Sequence, residues 1–400
     1  MTTAPLRTRR RTATQSRIAR SGEILELVRH GRANTTGQLA DELGLARSTV
    51  NDRVDVLLAA GLLSLDSPSA DGSRGRPAAT LSFSPRAGLT LAAQLGISGI
   101  RLAATDLAGE ILASTMIDID LTDGPEAVLS EVTRTYDEML ERLAADPDRV
   151  HGIGFGMPAR VELASQSGGA DWTAESVCEV LNRWMDVPIF VDHDVNLLAF
   201  GEHCARTDEP EVLVCVKVGT VIGCGVVVNG KVVQGVSGLA GEIGHTRVGA
   251  SEVPCSCGNV GCLNAVASGA ALARRLRAEG VDAPNARAVA TLARAAHVEA
   301  SHAVRIAGRD IGEVLAGVVN LLNPGVISLW GYLAEAEEQL IAGIRESIAK
   351  SAQSGPAGGV RIEPATMGAD AGIYGAAMMV VEHALQPAAV DAYLLALHPA

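Results

Sequence analysis

The stretch that decides the fold reads Gly241-Glu242-Ile243-Gly244-His245 and then Cys255-Ser256-Cys257-Gly258-Asn259-Val260-Gly261-Cys262. Three of the chain's seven cysteines lie within its last eight residues, and a histidine precedes them by ten positions. Three thiolates and one imidazole are ligands that a tetrahedral structural zinc ion prefers. Glycines at positions 258 and 261 permit the tight turns that bring sulfur atoms together. The pattern predicts one structural zinc ion per chain, with a disulfide or a cluster of buried thiols as the alternative.

The first half of the stretch carries polar side chains of its own. Glu242 and His245 are three residues apart, so a carboxylate and an imidazole can both reach one small polar ligand. His245 can bind zinc through one ring nitrogen and present the other to a ligand or to a second acceptor. A ligand site next to the metal is therefore expected.

The two motifs, GEIGH followed by CxCGxxGCL, resemble the signature of the ROK family, which groups sugar kinases and sugar-responsive repressors. The resemblance implies that the zinc ligands are His245, Cys255, Cys257 and Cys262. It also implies that Glu242 and His245 contact sugar hydroxyl groups. Kinases of the family carry a glutamate directly after GCL as a further sugar contact, whereas this chain has Asn264. That difference leaves the identity of the sugar open.

Composition divides the chain into a basic beginning and an acidic body. The 400 residues suffice for two or three domains, and the net charge is −13. Residues 1–86 nevertheless hold 13 Lys and Arg against 8 Asp and Glu, whereas the remainder holds 20 against 38. A basic N-terminal region on an acidic body predicts a local anionic partner. The sequence contains no run of 18 apolar residues, so a cytoplasmic protein with reduced thiols is expected.

The N-terminal region has the pattern of a helix-turn-helix. A helix is predicted from Ser21 to about Gly31, a second after a Thr35 or Thr36 cap, and a third from Ala46 to Ala60. The third helix would enter the major groove of DNA. Its exposed polar side chains, the candidate DNA contacts, are Arg47, Ser48, Thr49, Asn51 and Arg53. The alternative is a plain helical hairpin whose polar face is only solvated.

Two short strand patterns follow the third helix. Residues 62–65 and 80–83 flank a polar loop that contains Gly75-Arg76-Pro77, which is typical of the wing of a winged helix. An arginine held there suits the narrow minor groove. An ordinary hairpin loop is the alternative, but repressors of the ROK family carry such a wing. We therefore predict that residues 1–86 form a basic arm and a winged helix-turn-helix domain that binds double-stranded DNA.

The remainder of the chain alternates strands and helices, as an α/β fold does. Two β blocks, each opening with a hairpin, predict two similar lobes. This organisation resembles the actin-like ATPase fold of ROK proteins, in which the sugar binds between the lobes. The expected boundaries are 87–204 for the first lobe and 205–400 for the second, which includes the zinc segment.

Three segments that bind ATP in ROK kinases are altered. The family's Asp-x-Gly-Gly-Thr-Lys turn is replaced by residues 94–99, which read Gln-Leu-Gly-Ile-Ser-Gly. The second phosphate turn carries Val221 in place of its middle glycine, and Trp330 replaces one glycine of a later pair. Phosphoryl transfer requires a cradle for the phosphates. The three changes together predict that the protein is not an enzyme.

The sugar side is closer to the family pattern. The family's Asn-Asp-x-Asn, whose aspartate is the catalytic base, reads His193-Asp194-Val195-Asn196 here. Without ATP, Asp194 would accept a hydrogen bond from the sugar. A helix N-cap is the other interpretation of Asp194, and the two are compatible. His193 would alter which hydroxyl group is recognised.

These observations predict a zinc-stabilised, sugar-responsive repressor of carbohydrate genes. It would act as a homo-oligomer, a dimer or a tetramer, on a palindromic operator. A sugar kinase with an appended DNA-binding domain is one alternative. A regulator that senses another protein or a phosphosugar is a further alternative.

Overall fold

The computed structural model describes residues 17–66, 80–96, 99–158, 172–208 and 210–397. Three helices open the described chain: α1 (Ser21–Arg29), α2 (Thr36–Leu43) and α3 (Arg47–Ala59). Thr35 is the N-cap of α2. Its hydroxyl accepts a hydrogen bond from the Gln38 backbone amide, and the Gln38 side-chain oxygen accepts one from the Thr35 backbone amide. Gly44, with φ of 62°, ends α2 as predicted.

The wing strands form as expected. Strands β1 (Leu63–Asp66) and β2 (Thr80–Phe83) pair in antiparallel fashion, with Leu63 opposite Phe83 and Asp66 opposite Thr80. The predicted basic arm and the wing tip with Arg76 lie outside the described residues.

The first lobe is built on a five-stranded sheet of order β5-β4-β3-β6-β7. Its strands are β3 (Leu89–Leu95), β4 (Gly99–Asp106), β5 (Ile111–Asp118), β6 (Val150–Met157) and β7 (Ile189–His193). Helices α4 (Gly124–Arg142) and α5 (Ala174–Trp184) belong to this lobe. Tyr136, Phe155 and Trp172 are the largest side chains of its core.

The second lobe repeats this topology. Its sheet has the order β10-β9-β8-β11-β12. The strands are β8 (Val212–Val218), β9 (Ile222–Val228), β10 (Lys231–Val232), β11 (Val326–Trp330) and β12 (Arg361–Pro364). In both sheets the first three strands in chain order are antiparallel neighbours and the last two are parallel additions. The prediction of two similar lobes is confirmed.

The helices of the second lobe complete its core. They are α7 (Leu263–Ala267), α8 (Gly269–Ala278), α9 (Ala286–Arg294), α10 (Val298–Leu322), α11 (Glu337–Ser351) and α12 (Ser354–Gly359). The core they form with β8, β9 and β11 is made of Ala, Val, Leu and Ile, as the low aromatic content requires. Among the described residues, no helix is long and apolar enough to cross a membrane.

Two helices pass between the lobes. Helix α6 (Asp194–Ala205) packs on β9 and on α13 (Ala371–Ala384), where glycines 201 and 375 allow backbones to touch. Helix α13 also packs on β3 and β6. The last helix, α14 (Pro387–Leu397), packs on α1 of the winged helix. The expected boundaries assigned all of residues 205–400 to the second lobe. In the structure, α13 instead packs on strands of the first lobe and α14 packs on the winged helix.

The winged helix shares a core with the C-terminal helices. Met378, Val381, Leu385, Val390 and Leu394 are buried in the same cluster as the core residues of α1 and α3. The Asp391 carboxylate accepts hydrogen bonds from the Arg20 amide at 2.7 Å and from the Gly22 amide at 2.9 Å. It therefore caps the first turn of α1 from another part of the chain.

Candidate functional site

The predicted metal ligands converge in the structure. One ligand atom from each of His245, Cys255, Cys257 and Cys262 lies within 4.8 Å of all the others. The Sγ atoms of Cys257 and Cys262 are 3.7 Å apart, and Cys255 Sγ is 3.7 Å from His245 Nδ1. Bonds of about 2.3 Å from a tetrahedral zinc place two sulfur atoms about 3.8 Å apart. The cluster therefore fits a tetrahedral ion, and its cysteines are free thiols rather than a disulfide.

The backbone of the cluster is shaped by glycines and two β-bridges. Gly258 and Gly261 have φ of 92° and 74°, in the left-handed region that glycine adopts without strain. Bridges join Arg247 to Cys262 and Pro254 to Val260. A hydrogen bond from the Asn259 backbone lowers the pKa of Cys257 to about 7. This shift favours the thiolate, which is the form that binds a metal.

His245 faces two groups at once. Its Nδ1 atom points to the cysteine sulfurs, and its Nε2 atom is 3.8 Å from Glu242 Oε2. This arrangement is compatible with a ring that binds a metal through Nδ1 and faces a carboxylate with Nε2. The Glu242 turn packs on β9, because the Cys224 amide donates to the Gly241 carbonyl at 2.9 Å. The four candidate metal ligands are thus connected to the sheet of the second lobe.

Asp194 lies on a helix that packs against the same strand. It is the first residue of α6, which packs on β9, and its side chain is only 6% exposed. Its carboxylate does not cap the helix, since the N-cap residue is His193. Instead Lys217, near the end of β8, donates a hydrogen bond to Asp194 Oδ2. The N-cap interpretation of Asp194 is therefore wrong, and the residue takes part in a buried ion pair.

Asp192 adds a second carboxylate at the end of β7. Its Oδ1 atom accepts from the Asn196 amide at 2.7 Å and from the His193 backbone at 2.7 Å. Its Oδ2 atom accepts from Gln234 at 2.8 Å. Asp192, Lys217 and Gln234 were not among the site residues predicted from the sequence. Of these three residues, only Asp192 could have been suspected from the sequence, because it directly precedes the His-Asp-x-Asn segment.

Asn264 has a partner that the family pattern did not predict. Its Oδ1 atom accepts from the Ile222 amide at 2.6 Å, and its Nδ2 atom donates to the Ile222 carbonyl at 3.3 Å. Both polar atoms of the Asn264 side chain therefore bond to the backbone of Ile222, in the segment that corresponds to the second phosphate turn of ROK kinases. Asn264 was expected to contact sugar, but the structure gives it a role in fixing this turn.

Two of the three segments that differ from the ATP-binding segments of ROK kinases make contacts within the chain. The Gly219 amide donates to the Val221 carbonyl at 3.2 Å, so the turn uses a donor that a phosphate would need. The Trp330 indole donates to the Gly368 carbonyl, and its ring centroid is 5.9 Å from Lys217 Nζ. Ile97 and Ser98 of the first turn lie outside the described residues.

The candidate DNA contacts divide by exposure. Arg47, Ser48 and Asn51 are exposed on α3, and Thr49 is half-buried. Arg53 is only 7% exposed, so its predicted exposed position is wrong. Arg53 lies on the same buried face of α3 as Val50. Burial is the main cause that lowers its pKa, and the positive charge of Arg20 is the second. Arg76 lies outside the described residues, so its contact remains a prediction from sequence.

Comparison with known proteins agrees with this architecture. The model of the ROK family matches residues 90–383, and a model described as winged helix-turn-helix DNA-binding matches residues 22–64. The xylose repressor of Bacillus spizizenii is 25% identical over 87% of this chain and 91% of its own length. The glucokinase of Halalkalibacterium halodurans is 29% identical over 72% of this chain and 93% of its own.

A solved structure extends the likeness to the whole fold. The crystal structure of a ROK family transcriptional regulator, a homologue of the Escherichia coli MLC protein, has a TM-score of 0.78. It covers 96% of this chain and 100% of its own at 23% identity. The ROK model alone spans well over half of the sequence, in the region that forms the two lobes. The chain therefore belongs to the ROK family.

Proposed function

We propose that the protein is a sugar-responsive transcriptional repressor of genes for carbohydrate metabolism. The observation that carries this proposal is the shared core through which the winged helix packs on the C-terminal helices of the ROK domain. A DNA-binding unit is thereby joined to a fold that binds sugars between its lobes. Selection of operator DNA from random duplexes, followed by mobility-shift titration with a panel of sugars, tests the proposal. Operator binding that no sugar alters would refute it.

The protein acts as a regulator rather than an enzyme. Among its relatives is a xylose repressor that aligns over 87% of this chain. Three features of the cleft agree: the Gly219 amide bonds within its own turn, Trp330 replaces a glycine, and Lys217 pairs with Asp194. The similarity to a glucokinase keeps a sugar kinase with an appended DNA-binding domain as the alternative. An ATP-coupled assay on the same sugars separates the two, because robust turnover would favour the kinase.

The sugar site we propose consists of Asp194, Glu242 and His245, with His193 beside them. Asp194 and the Glu242 turn both lie against β9, the former through α6 and the latter through Gly241. Carboxylates and an imidazole are suitable partners for hydroxyl groups. Asn264 contributes indirectly, since its amide holds Ile222 of the neighbouring turn.

The proposed metal is one structural zinc ion per chain. Four protein ligands leave no open position for a catalytic water. The ion would brace the turn between Glu242 and His245, and it would release protons from the thiols on binding.

Loss of a single ligand should empty the metal site. We expect Cys257→Ser to lower the metal content from about one zinc per chain to near zero. Cys178→Ser, at a free cysteine outside the cluster, is the control and should keep its zinc. Elemental analysis of purified protein measures both. A Cys257→Ser protein that retained zinc and its ligand response would contradict the assignment.

DNA recognition is assigned to the start of α3 and to the wing. Arg47, Ser48, Thr49 and Asn51 would meet bases and phosphates in the major groove, and Arg76 would enter the minor groove. One winged helix makes few contacts, so we propose a dimer or a tetramer on a palindromic operator. Such a protein works beside the chromosome, and we therefore place it in the cytoplasm.

Removal of the Asn51 amide should relax sequence preference. We expect Asn51→Ala to lose about 1–3 kcal/mol of discrimination at one base pair of each half-site. Asn182→Ala, at an exposed position on α5 of the first lobe, is the control. Binding to a library of single-base operator variants measures the change. An unchanged preference profile would remove Asn51 from the base contacts, and protection of one unpaired half-site in a footprint would refute the dimer.

A further inference from the structure

The segment that leads from β12 into α13 contacts both lobes. It comprises residues 365–370, and we call it the strap. Strand β12 belongs to the sheet of the second lobe, whereas α13 packs on β3 and β6 of the first lobe. The strap is therefore one of the places where the chain crosses from one lobe to the other.

The beginning of the strap is held by a buried carboxylate. Glu202, on α6, is fully buried. Its oxygens accept hydrogen bonds from the Thr366 backbone amide at 2.8 and 3.0 Å and from the Thr366 hydroxyl at 2.9 Å. Arg206 donates to the same carboxylate at 3.0 Å, which compensates the buried charge. The strap thus starts at a fixed point on α6.

The strap and the first turn of α13 contact two residues that differ from the ATP-binding segments of ROK kinases. Trp330, at the end of β11 in the second lobe, donates its indole N–H to the Gly368 carbonyl. On β3 of the first lobe, the Gln94 side chain packs directly against Gly372, where a Cβ atom would lie 2.3 Å from Gln94 Nε2. The residues that replace the family's glycine and aspartate therefore support the connection between the lobes.

Arg101 adds a polar contact from the first lobe. It lies on β4, its Nη2 atom is 2.5 Å from Asp370 Oδ1, and its Nη1 atom donates to the Ala369 carbonyl at 3.0 Å. Arg101 and Trp330 belong to different sheets, yet both bond to residues 368–370. The strap therefore connects the two sheets through side chains as well as through its backbone.

We infer that Trp330 and Arg101 are positioning residues that hold the strap between the lobes, so that the lobes of this ROK domain are linked without a bound nucleotide. The three segments that bind ATP in ROK kinases come from both lobes, so a nucleotide that contacts them all links the lobes only while it is bound. A link within the chain is permanent, because it does not pay the entropy of association. The strap leads into α13 and then α14, so its position also bears on the winged helix.

Hydrogen exchange of the strap amides in the full-length protein tests the inference. Trp330→Phe keeps an aromatic ring but removes the indole N–H, and Arg101→Gln removes the guanidinium group. The reporters are the Thr366 amide, which donates to Glu202, and the Asp370 amide, which donates to the Met367 carbonyl. If the strap opens as one unit, either variant should speed exchange at both reporters by about three- to tenfold, as loss of one hydrogen bond predicts.

Two substitutions of the same kind elsewhere in the first lobe are matched controls. Trp184 donates to Asp137 at 3.2 Å, and Arg134 pairs with glutamates of its own helix α4. Trp184→Phe and Arg134→Gln should leave exchange of the strap unchanged. Faster exchange at only the reporter nearest the substitution, or at neither reporter, would overturn the inference.

A second arm of the experiment uses the wild-type protein and needs no variant. Magnesium ATP at millimolar concentration should leave exchange of the strap unchanged, since the link is already made within the chain. Slower exchange on addition of magnesium ATP would show that a nucleotide completes the link, and it would also overturn the inference. Neither arm measures operator or sugar binding, so their failure would leave the proposed repressor function intact.

Discussion

Asp194→Ala is expected to abolish the response to sugar while leaving operator binding without ligand close to normal. The carboxylate is a charged acceptor in a buried setting, and losing such a hydrogen bond costs about 1.5–3 kcal/mol. A site built to bond a hydroxyl group can lose still more, so we expect apparent sugar affinity to fall at least about 100-fold. Operator binding should persist because Asp194 is the first residue of α6, whereas the proposed DNA contacts lie on α3.

Titration of operator affinity at rising sugar concentration measures this effect. Asp186→Ala, at an exposed position just before β7, is the control and should respond as the wild type does. Lys217 loses its partner in the Asp194→Ala protein, so a melting curve must accompany the titration. A folded Asp194→Ala protein that binds the operator normally and still responds fully to the sugar would disprove the assignment of the site.

Features that depend on residues close together in the sequence could be predicted from it. The spacing of His245 and the cysteines predicted a metal site, and the structure brings one ligand atom of each of the four side chains within 4.8 Å of the others. The Thr35 cap and the Gly44 stop of α2 were visible because capping depends on residues three or four positions apart. The two equivalent β blocks were predicted because each repeats a hairpin followed by parallel strands.

Features that depend on distant residues were not predictable from the sequence. Lys217 and Asp194 are brought together by the packing of α6 on the second sheet, and no short-range pattern records that contact. Arg53 was expected to be exposed because arginine usually is, yet it lies three residues after Val50 on the buried stripe of α3. The family's sugar contact after GCL was carried over to Asn264, but an amide fits the Ile222 backbone, where it both accepts and donates.

Sugar binding and DNA binding can be coupled through the C-terminal helices. Helix α6 begins at Asp194 and packs along α13. Helix α13 leads directly into α14, whose Asp391 caps the first turn of α1 in the winged helix. A ligand that closes the lobes would shift α13 and thereby α14, provided that the two forms of the protein differ in affinity for the operator. The contact between α14 and α1 is therefore the place to interrupt the coupling.

Gly22→Ala should break this contact without harming the winged helix itself. A Cβ atom at Gly22 would overlap the carbonyl oxygen and Cα of Pro387, the first residue of α14. Backbone atoms cannot rotate away as a flexible side chain can, and such overpacking costs about 1–3 kcal/mol. Within α1 the same change is favourable, because alanine stabilises a helix by about 1 kcal/mol relative to glycine. The variant should therefore keep a folded DNA-binding unit that is released from α14.

We expect the Gly22→Ala protein to bind both operator and sugar while the effect of one on the other largely disappears. Allosteric coupling energies are typically about 1–3 kcal/mol, which is no larger than the cost of the overlap. Operator dissociation constants with and without saturating sugar give the coupling directly. Gly37→Ala is a matched control in the same domain, since a Cβ there meets only Arg47 Nη2 at 3.9 Å, an ordinary contact. If Gly22→Ala and Gly37→Ala both retained the full wild-type response, the signal would have to reach the winged helix by a route other than α14.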